Sequence, residues 1–443
     1  MTDIQDRPFG ASLQSGLANL NVLTGARCLT AVATLLCVLV TLEPFPDLSR
    51  ADVAGMASGR LAATYLCFAA LAAIAVLLSA SQNAAALKTL WTPLNLCLVG
   101  WMAVNIAVSE SPELSLQRFV LTVSVTSLAF MMPLLPPTLK YFNQCLGAAA
   151  IVLLALCYLG IVLAPQLSIH QATDVAEPFL AGDWRGTFAH KNIASPVMTI
   201  LVYLGVYLTS TGALLTGPAI VILAGVFLGF TGGKTATALC LIVYALASIA
   251  CATKSLSLKR VVCFVPLLAL NLVTVGSVTS EALANLTRQL PIDPTFTGRS
   301  EVWEFALEAF KEKPMLGHGY AAFWDNVTDR QTASGAEWTV TAAHSHNSYL
   351  DLAVTIGLPG LALVVLIFVL APLGNFQAIE ASGRSRSVAK FFLTIWLFGL
   401  YYGTTETFML DRQNPTWFMF ALAVAGLHFL ARFPVRGAEG EPG

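Results

Sequence analysis

Apolar stretches of about 20 residues recur along the whole sequence, and they constrain the fold more than any other feature. A helix of that length crosses the roughly 30 Å of hydrocarbon in a bilayer. Hydrophobic residues make up 56% of the 443 residues and charged residues only 11%, a balance that a water-soluble domain does not need to cover its surface. The sequence therefore predicts an all-α integral membrane protein with about twelve transmembrane helices.

The predicted spans divide the chain into a membrane bundle, two long outer loops and two tails. Residues 1–26 and 433–443 are predicted to be cytoplasmic tails, and no cleaved signal is recognised. Nine spans fall in residues 27–280, with an outer loop at 165–191; a large outer loop covers 281–346, and three spans follow in 347–432. The predicted spans lie near residues 27–45, 61–80, 90–108, 119–136, 144–164, 192–210, 213–231, 235–252, 261–280, 347–372, 389–410 and 413–432.

The orientation follows from the basic residues of the short loops. Cytoplasmic loops of membrane proteins carry an excess of lysine and arginine. Placing both termini in the cytoplasm puts the basic short loops of this chain on the inner side, as this rule requires. Nine cysteines occur singly in or beside apolar segments, without a Cys-x-x-Cys pair, so they are predicted to be packing residues and not disulfides or metal ligands. The basic residues assigned to the inner side include Lys88, Lys140, Lys254, Lys259, Arg260, Arg384, Arg386 and Lys390.

The large outer loop contains one predicted helix, from Arg299 to Lys313. An apolar stripe of residues recurs at helical spacing, while the acidic residues lie off it. Thr297 is the predicted N-cap, and Pro314 ends the helix. Two arrangements stay open, a helix lying on the membrane surface and a helix capping the bundle.

Five of the six histidines lie in the two long outer loops or at the adjacent span edge. Histidine is the side chain best suited to proton transfer near neutral pH, so this clustering indicates acid–base chemistry. The alternative is that polar residues accumulate in polar loops without a shared role. A metal site at His344 and His346 is a weaker interpretation, because no matching carboxylate or cysteine pattern accompanies the pair. The five are His170, His190, His318, His344 and His346.

Several cations stand at outer span ends, where orientation alone would not place them. Guanidinium and ammonium groups form charge-assisted hydrogen bonds with phosphate oxygens, so such a group can hold a diphosphate at the lipid surface. The alternative is a set of interfacial anchors. Thr231 to Thr235 resembles the end of a nucleotide-binding phosphate loop, but Leu228 stands where its first glycine is required, which excludes that site. The cations are Arg118, Arg185, Lys191, Lys234 and Arg299.

One motif connects the sequence to a known family. His346 and Asn347 are followed by nine residues and then by Gly357-Leu-Pro-Gly360, which matches the pattern His-[Asn/Ser/Gln]-x9-Gly-x-x-Gly. The sequence thereby resembles the O-antigen ligase and polysaccharide polymerase superfamily. The stretches 185–192, 297–303 and 313–324 look closest to its exopolysaccharide polymerases, of the succinoglycan-building kind. Where many members have Ser-Arg at an outer turn, this chain has Gly233-Lys234, so the charge is kept but the bidentate fork is lost.

The resemblance implies a metal-independent reaction without a cofactor, on the periplasmic face of a bacterial inner membrane. The donor would be an oligosaccharide on a polyprenyl diphosphate, and the acceptor a sugar hydroxyl. His346 is assigned as the base or acceptor-orienting group, and Arg185, Lys191 and Arg299 are assigned to the diphosphate. Glu406 is expected to orient the acceptor, with an interfacial charge as the alternative. Further substrate-binding candidates are His190, Arg118, Lys234, Asn347, His344 and Tyr320.

The predicted function is a polysaccharide polymerase that joins lipid-linked repeats. The alternative within the family is an O-antigen ligase, which transfers the glycan to a lipopolysaccharide core. A transporter is the rival from another class, but it would place charges near the bilayer midplane, whereas most charges here lie at the predicted outer boundary. The predicted partners are the bilayer, the lipid-linked oligosaccharide, a flippase and a chain-length regulator, and no nucleic acid.

Overall fold

The computed structural model is a bundle of α-helices, and it describes residues 9–49, 57–175, 177–289, 296, 298–326, 344–383, 386–412 and 414–434. Among these residues there is no strand. Residues 1–8 and 435–443 of the predicted tails, Arg384, and residues 290–295, 297 and 327–343 of the large predicted loop lie outside the described residues. The helices are α1 (Phe9–Leu39), α2 (Ala57–Lys88), α3 (Pro93–Ala107), α4 (Pro112–Met131), α5 (Leu139–Leu163), α6 (Lys191–Ser210), α7 (Thr216–Phe230), α8 (Lys234–Ala252), α9 (Leu256–Val273), α10 (Glu281–Arg288), α11 (Arg299–Glu312), α12 (Ser348–Val364), α13 (Ala371–Ser382), α14 (Arg386–Tyr402) and α15 (Pro415–Arg432).

The described residues contain nine helical segments that are long and apolar enough to cross a membrane. One of them joins α12 and α13 through a π-helical turn into a continuous stretch, Ser348–Ser382. The shorter apolar helices α3 and α7, together with the 17-residue α14, coincide with the three remaining predicted spans. The prediction of an all-α membrane protein is confirmed.

The core of the bundle lies around α14 and α15, which pack against each other. Large aromatic side chains fill this region, and Trp396, Phe398 and Trp417 are fully buried. Helix α6 packs along α7 and also contacts α14. Both helices are buried along most of their length, so they need no polar outer face there.

Buried cations hold the end of the bundle that the sequence assigns to the cytoplasm. Lys259 is fully buried in α9, where its Nζ donates to Gln377 Oε1 at 2.8 Å and pairs with Glu380. Arg27 donates from Nε to Leu135 O at 2.6 Å and from Nη2 to Leu134 O at 2.8 Å. These contacts join helices across that end, because a buried charge requires a partner.

Helix α11 corresponds to the helix predicted in the large loop, and it caps the bundle. Its buried face includes Val302, Trp303 and Ala306, and it packs against α12. The residue before the helix is Gly298, whose φ of 84° lies in the left-handed region. The predicted N-cap, Thr297, lies outside the described residues. The packing against α12 agrees with the capping arrangement.

Candidate active site

The His-Asn pair of the motif is fixed to the connection between α14 and α15. Asn347 caps α12, since its Oδ1 accepts from Tyr349 N and Leu350 N, both at 3.0 Å. Its Nδ2 donates to Thr404 O at 2.9 Å. His346, just before this cap, has a φ of 51°, in the left-handed region that a non-glycine residue rarely adopts. The local backbone is therefore held in an uncommon conformation next to the α14–α15 connection.

Glu406 brings three separate parts of the chain together at this point. Its Oε2 lies 3.0 Å from His346 Nδ1, and its Oε1 accepts from Asn192 Nδ2 of α6 at 3.1 Å. Arg299, the first residue of α11, forms an ion pair with Glu406 and donates from Nη1 to Thr405 O at 2.7 Å. We call His346, Glu406, Arg299 and Asn192 the dyad cluster.

The charge of Glu406 determines which nitrogen of His346 is available for chemistry. Burial favours the neutral acid, but the nearby Arg299 charge and His346 outweigh it and lower the pKa of Glu406 to about 2. Glu406 is therefore a carboxylate at neutral pH, and its Oε2 accepts a hydrogen bond from the Nδ1–H of His346. The Nε2 atom then carries the lone pair, as a general base requires. The His346 side chain is 28% exposed, so solvent or a substrate can reach it.

His344 lies beside the cluster as a neutral neighbour. Its ring centroid is 4.3 Å from that of His346, and its Nδ1 accepts from His346 N at 3.3 Å. Burial and the neighbouring His346 lower the pKa of His344 to about 3. The ligand atoms of His344, His346 and Glu406 lie within 4.8 Å of one another, a spacing that a metal ion could use. However, Arg299 contacts the same carboxylate and its charge opposes a cation; metal independence stays a prediction.

A second histidine–carboxylate pair stands at the start of α6. His190 is the N-cap: its Nδ1 accepts from Asn192 N at 3.0 Å, so Nε2 carries the proton and donates to Glu177 Oε2 at 2.6 Å. This hydrogen bond lowers the pKa of Glu177. His190 and Glu177 therefore lie on the side of the dyad cluster that Asn192 occupies.

The loop before α6 is stabilised by a third, buried histidine. His170 Nε2 accepts from Lys191 N at 3.3 Å, and Nδ1 donates to Asp174 Oδ2 at 2.9 Å. Burial lowers the pKa of His170, which keeps the ring neutral for this role. The Lys191 side chain donates to Asp183 Oδ2 at 2.6 Å.

Arg185 is not brought into contact with the dyad cluster. Its side chain is fully buried, and it donates to Phe188 O at 3.0 Å and to Pro46 O at 2.8 Å. Burial lowers the pKa of Arg185. This geometry ties the loop 165–191 to the segment after α1, and a diphosphate could reach the guanidinium only after the loop had opened.

Three further sequence candidates also lie apart from the dyad cluster. Arg118 pairs with Asp325, and the buried Tyr320 hydroxyl lies 2.6 Å from both Thr122 Oγ1 and Leu410 O. These contacts fix residues 320–325 against α4. Lys234 is exposed at the start of α8, and no described acidic side chain lies within ion-pair distance of it.

Sequence reasoning did not single out Asn192 or Glu177. Asn192 stands in the stretch 185–192 that carries the family resemblance, but no sequence pattern indicates its contact with Glu406. Glu177 lies in a loop without a motif, and only the fold places it beside His190.

Fold and site together define a helical membrane protein with a histidine–carboxylate pair at one end of its bundle. Residues 219–365 match the family model described as O-antigen ligase, and this range includes His346 and the Gly-x-x-Gly motif. The predicted resemblance to this superfamily is confirmed.

Two curated proteins are similar to parts of the chain. The exopolysaccharide production protein ExoQ of Rhizobium meliloti is 30% identical over 95 residues, covering 21% of this chain and 22% of that protein. A putative polysaccharide ligase of Rickettsia felis is 25% identical over 147 residues, covering 31% of this chain and 36% of that protein. The similarity thus spans between a fifth and two fifths of the length of these relatives.

Proposed function

We propose that this protein is a membrane glycosyltransferase that transfers a glycan from a polyprenyl diphosphate to a sugar hydroxyl. The observation that carries this proposal is the contact between His346 of the family motif and the ionised Glu406, itself paired with Arg299. The family match and the two similar proteins support a role in joining polysaccharides.

In this reaction His346 Nε2 removes the proton from the acceptor hydroxyl. The acceptor oxygen forms a bond to the anomeric carbon of the donor, and the bond from that carbon to the diphosphate oxygen breaks. The proton ends on His346, where the Glu406 carboxylate stabilises the imidazolium at Nδ1. Because the displacement occurs in one step from the opposite face, the anomeric configuration is inverted.

The leaving diphosphate needs fixed positive charge. The Arg299 side chain contacts Glu406 and is 22% exposed, so the exposed part of its guanidinium can face the departing phosphate. Lys191 and Lys234 are also candidates, because both lie near Asp183. Lys191 donates a hydrogen bond to Asp183. Asp183 also lies against the turn before Lys234, since a Cβ added at Gly232 would be 2.5 Å from Asp183 Oδ1. We assign Arg299 to the diphosphate, keep Lys191 and Lys234 as further candidates, and assign Arg185 to the loop.

The proposed setting is the periplasmic face of a bacterial inner membrane. The basic segment 254–260 precedes and begins α9 at the end of the bundle held by Lys259, and the positive-inside rule assigns that end to the cytoplasm. In this orientation the dyad cluster faces the periplasm. A flippase would deliver the lipid-linked repeats to this side, and a chain-length regulator would control the length of the polymer.

Polymerase is the preferred activity within this class. It is supported by the similarity to ExoQ and by the stretches 185–192 and 313–324, which resemble exopolysaccharide polymerases. The second candidate, ligase, is favoured by the name of the matched family and by the similar polysaccharide ligase.

Deletion of the gene, followed by analysis of lipid-linked and secreted glycans, distinguishes the two activities. A polymerase deletion leaves single repeat units on the lipid carrier and no secreted polymer. Long polymer that still accumulates on the carrier, with only its attachment to lipopolysaccharide lost, would show that the protein is a ligase.

A further inference from the structure

The first glycine of the Gly-x-x-Gly motif interrupts α12. Gly357 has φ 68° and ψ 177°, whereas the residues around it are helical. The apolar segment Ser348–Ser382 is 35 residues long, and a straight helix of that length would measure about 50 Å, well beyond the roughly 30 Å of bilayer hydrocarbon. The break lets residues 348–356, which follow the His-Asn pair, take a different direction from the rest of the segment.

Such a break leaves main-chain carbonyls that require new partners. The Leu358 N–H, which a continuous helix would direct to Val354 O, donates to Pro314 O at 2.9 Å. Thr355 O would face position 359, where proline has no N–H to offer. Both carbonyls lie within the protein, where an unpaired polar group is costly.

The turns that follow α11, residues 314–320, supply the missing donors. His318 N donates to Val354 O at 2.9 Å, and Gly319 N donates to Thr355 O at 3.0 Å. From α3, Asn105 Nδ2 donates to Thr355 O at 3.1 Å. We call this contact between residues 314–320 and 354–358 the docking seam.

The docking seam has no room for a side chain at two of its glycines. A Cβ at Gly357 would lie 2.1 Å from Met315 O, and one at Gly317 would lie 2.4 Å from Thr355 O. Both glycines also have φ near 70°, in the left-handed region that disfavours other residues. Glycine is thus required at these positions by both space and backbone conformation.

The seam is connected to the dyad cluster through α11. His318 Nε2 donates to Ala309 O near the end of this helix at 2.8 Å. Trp303 of α11 packs with Leu350 and Val354 of α12 in one apolar cluster. At the opposite end of the same 14-residue helix, Arg299 contacts Thr405 and Glu406.

We propose that Gly357 is a positioning residue: the helix break docks the turn segment 314–320, and this docked segment holds α11 so that Arg299 reaches Glu406. The two ends of the motif then serve the same site. His346 is the proposed base, and Gly357, eleven residues later, holds Arg299 at Glu406, the carboxylate that contacts His346. This inference rests on the proposed function only where transfer activity is measured.

The docking can be tested without any activity assay. In a background lacking the native cysteines, Ala309→Cys places a thiol at a position that is 5% exposed. Adding Gly357→Ala should raise its labelling rate by a membrane-impermeant maleimide by about tenfold or more, because the seam loses its hydrogen bonds and opens locally. The matched control is Gly374→Ala, a glycine of α13 with nothing within 4 Å of an added Cβ, which should leave the rate unchanged.

A second measurement separates positioning from a general loss of structure. If α11 undocks, Arg299 leaves Glu406 and the pKa of that carboxyl rises. Gly357→Ala should therefore lower transfer to about the level of Arg299→Gln, and adding Gly357→Ala to Arg299→Gln should cause little further loss. Should Gly357→Ala fail to insert, Asn105→Ala removes seam hydrogen bonds without adding a Cβ and carries the same expectation.

Two results would overturn the proposal. One is a Gly357→Ala protein with unchanged labelling at position 309. The other is faster labelling with unchanged transfer, or losses from Gly357→Ala and Arg299→Gln that add in the double variant, which would show that the seam does not position Arg299. Absence of transfer activity in the wild-type protein would refute the proposed function instead, and the labelling experiment would still decide the docking.

Discussion

Replacing Glu406 by glutamine removes the charge on which the dyad cluster depends. The side chain is 10% exposed and contacts His346, Arg299 and Asn192. Its pKa is lowered from 4.5 to about 2, and at 1.36 kcal/mol per unit this corresponds to about 3 kcal/mol in favour of the carboxylate. Glu406→Gln should therefore destabilise the fold by a few kcal/mol, since it leaves Arg299 without its partner.

The pH dependence of stability has a defined sign. Because the folded-state pKa is below the unfolded one, the stabilisation by Glu406 is complete above about pH 4.5 and is lost as the pH falls toward 2. In Glu406→Gln this loss should be absent. Thermal unfolding in detergent between pH 2 and 7 measures both effects, with the exposed Glu301→Gln of α11 as the matched control.

The same substitution should lower glycan transfer on the order of a hundredfold to a thousandfold, as expected for loss of one group that stabilises charge in the transition state. Transfer is measured in proteoliposomes with the lipid-linked glycan as substrate. If correctly folded Glu406→Gln protein transfers glycan at the wild-type rate, the role assigned to the carboxylate is wrong.

Two other predictions concern topology and metal. In a background lacking the native cysteines, Ser257→Cys should resist a membrane-impermeant thiol reagent in intact cells and Arg330→Cys should be labelled; labelling only at position 257 would invert the orientation. Transfer should continue at the full rate in excess chelator, since Arg299 occupies the carboxylate that a cation would need. Lost activity that zinc or magnesium restores would instead support a metal at His344, His346 and Glu406.

The membrane fold was predictable because hydrophobic length is a local property of the sequence. All twelve predicted spans coincide with helices, and the loop helix begins at Arg299 as predicted. His346 was found through its motif. Its contact with Glu406 was not predictable, because the two residues are 60 positions apart and meet only after α12, α14 and α15 have packed.

Cations were harder to assign than histidines. The family resemblance implied that Arg185, Lys191 and Arg299 all bind the diphosphate. The structure buries Arg185 completely against backbone carbonyls, whereas Arg299 reaches the dyad cluster. Charge and position along the chain do not reveal whether a guanidinium faces a ligand or satisfies the fold, because that depends on loop packing.

The most direct test of the account is the transfer activity of His346→Ala in proteoliposomes. The control is His428→Ala, which removes a histidine of α15 that contacts Thr89, outside the dyad cluster. We predict that His346→Ala inserts and unfolds like the wild-type protein but loses transfer by about a hundredfold to ten-thousandfold, the usual contribution of a general base. His428→Ala should remain active. Normal polymer formation by His346→Ala would contradict the proposal that this histidine is the base.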